Sequence, residues 1–94
     1  MRRNKTYFMP EISKFYGIAI YMFIGDHNPP HFHVYYDGSS ALISIKEGAI
    51  LKGSLPPQAK RLVKQWLELH RDELLDNWNR LSNSESAISI KPLR

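Results

Sequence analysis

The stretch 18-IAIYMFIGDHNPPHFHVYYDGSSALISIK-46 decides how the chain folds. Three β-rich runs are separated by two turn signals, residues 25–30 and Asp37-Gly38. Strand side chains alternate, so the first run, residues 18–24, sets Ile18, Ile20, Met22 and Ile24 against Ala19, Tyr21 and Phe23. The second, residues 31–36, sets Phe32, Val34 and Tyr36 against His31, His33 and Tyr35. The third, residues 41–46, sets Ala41, Ile43 and Ile45 against Leu42, Ser44 and Lys46. Asp-Gly between alternating runs signals a hairpin, and Glu47-Gly48 leads into a short fourth strand over residues 49–52. The aliphatic set then makes the core face. Tyr21, Phe23, His31, His33 and Tyr35 share the opposite face, which is aromatic and polar at once.

Downstream, residues 58–81 repeat Leu62, Val63, Trp66, Leu67, Leu69, Leu74, Leu75, Trp78 and Leu81 at three- and four-residue spacing, the pattern of an amphipathic helix. Ser54 reads as its cap, with Pro56 and Pro57 where missing donors cost least. Two dozen helical residues run about 36 Å, whereas a six-residue strand spans roughly 20 Å. The second half must therefore bury Leu74, Leu75, Trp78 and Leu81 under a returning C-terminal tail, after a bend, or in a homodimer. Residues 87–91 alternate like a short final strand. The expected fold is α+β: an antiparallel β-meander of about four strands, one long C-terminal helix packed on the sheet, and that final strand.

With 94 residues, 43% hydrophobic and 23% charged, the chain suits one folded domain. We expect it over residues 9–94, after a flexible basic extension at 1–8. The net charge is +4, but without Arg2, Arg3 and Lys5 ten basic residues face nine acidic ones. The basicity is mostly that of a tail, which weakens a nucleic-acid reading built on charge alone. The absence of cysteine excludes disulfides and thiolate zinc sites, leaving His, Asp and Glu for any metal. No apolar run is long enough for a membrane span and no signal core is visible, so the expected location is cytoplasmic.

The segment Asp26-His27-Asn28-Pro29-Pro30-His31-Phe32-His33 holds three of the four histidines. Two prolines stiffen the turn and deliver His31 and His33 onto one strand face. Three readings stay open. In the first, His31 and His33 bind a divalent metal, with His27, Asp26 or His70 completing the shell. In the second, they divide into general acid and base for phosphodiester chemistry, with Tyr35 as third group. In the third, they are structural, donating to carbonyls of the proline turn while Asp26 caps it. His70 falls between Trp66 and Leu74 and points inward, with Glu73 placed to hold its tautomer. If the helix covers the aliphatic face, the sheet separates His70 from His33. Lys60, Arg61 and Lys64 crowd the start of the helix against its macrodipole, a candidate anion or acidic-partner patch with Lys52 nearby.

The series Met9-Pro10-Glu11-Ile12-Ser13, Phe15-Tyr16-Gly17-Ile18, the Asp26 to His33 element, Leu69-His70 with Glu73-Leu74, Asn77-Trp78 and Ile90-Lys91-Pro92-Leu93 resembles a small bacterial family carried as a domain of unknown function. The resemblance implies a compact domain encoded beside a second small protein, in the manner of a toxin–antitoxin pair. It brings no established activity. Asp26, His27, His31, His33, His70, Glu73 and Trp78 match its motif positions and carry over as site candidates. The leading functional expectation is a component of such a two-gene module that binds its small partner, with RNA as a further ligand, through the histidine and aromatic face. The alternatives are a histidine- or metal-dependent phosphodiesterase or ribonuclease acting alone, and a structural interaction module. Partner binding needs an exposed apolar patch around Tyr21, Phe23 and Tyr35, or around Leu74 and Trp78. A metal needs three converging ligand atoms; acid–base catalysis needs both imidazoles exposed near a cation.

Overall fold

A computed structural model describes residues 11–94. The elements are β1 (Glu11–Phe15), β2 (Ile18–Tyr21), β3 (His31–Tyr36), β4 (Ser39–Ser44), β5 (Ile50–Gly53) and α1 (Pro57–Ser82). The strands form one antiparallel meander in sequence order, so the α+β expectation holds with five strands. The expected extension at 1–8 lies outside the described residues.

The additional strand is β1. Its hairpin turns on Tyr16 and Gly17, with φ of 50° and 79°, just as the β3–β4 hairpin turns on Asp37 and Gly38 at 47° and 82°. Both loops are two residues with positive φ throughout, the conformation that matches strand twist. Asp-Gly advertises that conformation; Tyr-Gly does so only at its second residue. β2 stops at Tyr21 rather than Ile24, and β5 enters the sheet across a bulge between Leu42 and Ile43. At its end Gly53 has φ of 84°, and a Cβ there would lie 2.2 Å from the Ser40 carbonyl oxygen. Only glycine lets the two backbones approach this closely.

Register confirms the division into two faces. Ile20 faces Val34 and then Ala41, while Tyr21 faces His33, Leu42 and Lys52. α1 packs on the aliphatic face through Ala59, Val63, Trp66 and Leu67. Trp66 lies at the centre, 5.5 Å from the Phe15 ring and 5.9 Å from Phe32. Burial of each such side chain stabilises by about 1.5–3 kcal/mol. The helix starts at a Pro56 cap with no side-chain bond. Ser54, expected as the cap, instead donates its backbone N–H to the Ser40 carbonyl at 3.1 Å. With Pro57 at N1 there is one fewer orphan donor for a cap to satisfy.

The excess helix length is handled by a bend and by the tail together. His70 leaves helical geometry at φ −126°, ψ 22°, and residues 83–94 then return along the second half. They do not form the expected final strand. Side chains hold them instead: the Trp66 Nε1–H donates to the Lys91 carbonyl at 2.8 Å, and Asn77 pairs with both backbone groups of Ile88 at 2.9 and 2.8 Å. A single backbone bond, Ile90 N–H to the Ile12 carbonyl, ties the tail to β1. Leu74, Trp78 and Leu81 are thereby buried within the chain. No helix among the described residues is long and apolar enough to cross a membrane.

Candidate histidine–carboxylate centre

Three elements meet where the β2–β3 connection returns to the sheet. β3 supplies His31 and His33, the connection supplies Asp26 and Phe23, and the second half of α1 supplies Trp78. The proline turn sets the first imidazole: His31 Nδ1–H donates to the Pro29 carbonyl at 2.8 Å. His33 Nε2 lies 3.0 Å from Asp26 Oδ2, and His31 Nε2 lies 3.3 Å from the same oxygen. One ligand atom from each of the three residues falls within 4.8 Å of the others.

Apolar rings close the centre on two sides. Phe23 stands edge-on to His33 at 4.5 Å, and Trp78 lies 5.3 Å from His31. His31 is only 7% exposed; the His33 side chain is 30% exposed. Among the described residues, the ion-pair contacts of both imidazoles are to Asp26. His31 donates to the turn as the structural reading expects, and Asp26 contacts both imidazoles. The acid–base reading fits less well, because His31 is buried and Lys52, in register with His33 on this face, sits two strands away on β5.

The remaining candidates scatter. His27 is exposed on the turn and outside the three-residue cluster. His70 sits on α1, bonded through Nδ1 to Glu73 and 5.6 Å from the Trp66 ring, on the helix side of the sheet. Tyr35 shares the His33 face but is 63% exposed, its ring edge-on to Tyr21. Lys60, Arg61 and Lys64 line a groove of about 510 Å³ with Gly48 and Ile50, between β5 and the helix. Lys52, expected beside them, lies on the opposite sheet face in a second groove. The basic patch is therefore split by the sheet.

That second groove, about 470 Å³, is lined by Tyr21, Phe23, His33, Tyr35, Leu42 and Lys52 among others. Burial first, then the neighbouring Glu11 charge and its hydrogen bond, holds the Tyr21 hydroxyl above its ordinary pKa. A smaller hollow of about 240 Å³ lies across Phe23, bounded by Asp26, Trp78, Ser82 and Ser84. Phe23 thus separates two openings onto one centre. Alternation placed its side chain on this face, but the strand ends at Tyr21, so its role as a wall was not readable from the pattern.

Fold and centre together define a small α+β domain with a two-histidine, one-carboxylate cluster at the mouth of a proline turn. The chain belongs to the DUF4160 family, a domain of unknown function, whose family model matches residues 17–79. That span includes Asp26, His31, His33 and Trp78 and stops short of the tail. No curated protein and no solved structure matches the chain.

Proposed function

We propose that the protein is the binding component of a toxin–antitoxin-like two-gene module, docking a small partner protein on the uncovered face of its sheet. The observation that supports this reading is the groove on that face, whose aromatic lining stays open while the helix and tail cover the other apolar surface. Of the two patches a partner would require, Leu74 and Trp78 are buried, whereas Tyr35 is 63% exposed beside Tyr21 and Phe23. Contiguous aromatic surface of this kind is a common anchor for protein partners, and it also stacks bases, which keeps RNA as a second ligand of the same face.

The test is co-expression with the small protein encoded beside this gene, followed by size-exclusion of the purified mixture. A stable complex is expected, lost on Tyr35→Asp and retained on Lys60→Glu, whose side chain lies across the sheet. Absence of a complex, or one that survives Tyr35→Asp, overturns the reading. Phosphodiester hydrolysis is the second reading, favoured by the convergence of Asp26, His31 and His33 beside the same groove. Cleavage of RNA by the isolated wild type, absent in His33→Ala, would move the function there.

A further inference from the structure

The hydrogen positions around His31 are constrained by chemistry. A carbonyl oxygen can only accept, so the bond to Pro29 places the hydrogen on Nδ1. Nε2 of the neutral ring then presents a lone pair, and it faces Asp26 Oδ2 at 3.3 Å. The His31 side chain is 9% exposed, so water cannot readily separate these two acceptors. Two acceptors in contact out of water repel, and neither recovers what it lost on leaving solvent. A positive species between them removes the conflict.

Two species meet that need. A proton shared by His31 and Asp26 answers that one contact, with His33 Nε2–H donating separately to the same oxygen at 3.0 Å. A metal ion uses all three atoms. Ligands at about 2.0–2.2 Å from one ion stand about 3.0 Å apart at right angles and about 3.4 Å apart at the tetrahedral angle. The two separations from Asp26 Oδ2, 3.0 and 3.3 Å, fall in that interval. The bond from His31 Nδ1–H to a backbone carbonyl is the outer support that orients a metal-bound imidazole.

We infer that Asp26 Oδ2, His31 Nε2 and His33 Nε2 form a mononuclear site for a divalent transition metal such as zinc. Imidazole and carboxylate donors suit first-row metals of this class, and hard alkaline-earth ions prefer oxygen alone. Three protein ligands leave coordination positions free, which is the pattern of a reactive or ligand-binding centre. The hollows on either side of Phe23 give those positions room for water or an anionic oxygen ligand. The assignment is independent of the partner-docking reading: a chain that binds metal and not its neighbour's product, or the reverse, separates the two.

The experiment is calorimetric titration of the chelator-treated full chain with Zn²⁺, paired with Co²⁺ absorption. One equivalent is expected, with the visible bands of a nitrogen–oxygen donor set. His33→Ala should weaken binding by more than the roughly 10–100-fold that loss of an outer-shell partner costs, and His27→Ala should leave it unchanged. In the unmodified chain, the imidazole nitrogen resonances of His31 and His33 should shift with Zn²⁺ while those of His27 and His70 stay fixed. That measurement decides the matter even if a variant fails to fold. No bound equivalent, wild-type affinity in His33→Ala, or shifts confined to His27 or His70 would overturn the assignment.

Discussion

Asn77 and His31 are both buried polar side chains held against backbone, and they resolve differently. Asn77 offers one donor and one acceptor to the carbonyl and N–H of Ile88, so each group on both sides finds its counterpart. His31 satisfies its first nitrogen at Pro29 and turns its second towards the Asp26 carboxylate, where acceptor meets acceptor. The first arrangement is complete without any further species; the second is complete only when something positive enters. Burial of a polar group is therefore no sign of a site. What distinguishes a site is the atom left over after the structural bonds are made.

The strongest challenge to this contrast is to remove the complete arrangement. Asn77→Leu leaves both Ile88 backbone groups without side-chain partners and loosens the tail over Leu74, Trp78 and Ile90. Ile88 is itself exposed, so the freed backbone groups can turn to water, and losing these two part-buried bonds should cost about 1–3 kcal/mol in urea unfolding. A loss below about 1 kcal/mol would show that Asn77 does not hold the tail as its geometry requires.

Much of this contrast was readable in the chain, and the reason for the remainder is physical. The sheet, its two faces and the helix follow from period-two and three-to-four spacing, which depend on near neighbours alone. The separation of His70 from His33 followed from assigning those faces. Asp26, His31 and His33 were each visible as candidates within eight residues, but their convergence on one oxygen depends on how the proline turn closes. His27, equally near in sequence, points to solvent. The tail shows the same limit: residues 87–91 alternate like a strand, yet Asn77 and Trp66 supply the bonds a neighbouring strand would have made. A side chain that takes the place of a strand leaves no periodic trace.

A milder test probes the incomplete arrangement. Asp26→Asn places an amide where Oδ2 stands, and its two N–H groups can donate to Nε2 of His31 and of a His33 that carries its hydrogen on Nδ1. Stability without metal should stay within about 1 kcal/mol of wild type, while the Zn²⁺ response is lost. A larger destabilisation would place Asp26 with Asn77, as a group the fold itself requires.

The smallest effect comes from a polar contact that is neither buried nor incomplete. Arg71 donates to both carboxylate oxygens of Glu68 at 2.8 and 3.2 Å, and its Nε–H independently holds the Ile45 carbonyl at 2.9 Å. The bond from Arg71 lowers the Glu68 pKa below its ordinary 4.5, with desolvation opposing and the Arg71 and Lys64 charges assisting. A depressed carboxyl contributes stability that is present above the unfolded value and lost as pH falls through the folded one. Glu68→Gln should therefore change little on the acid side of that window and reduce stability slightly above it. Because the pair is exposed, salt should erase even this difference. The measurement is urea unfolding of both chains near neutrality and well below pH 4.5, at low and high salt. A loss that resisted salt would mean that Glu68 also fixes Arg71 on the Ile45 carbonyl, turning a surface contact into part of the covered side of the molecule.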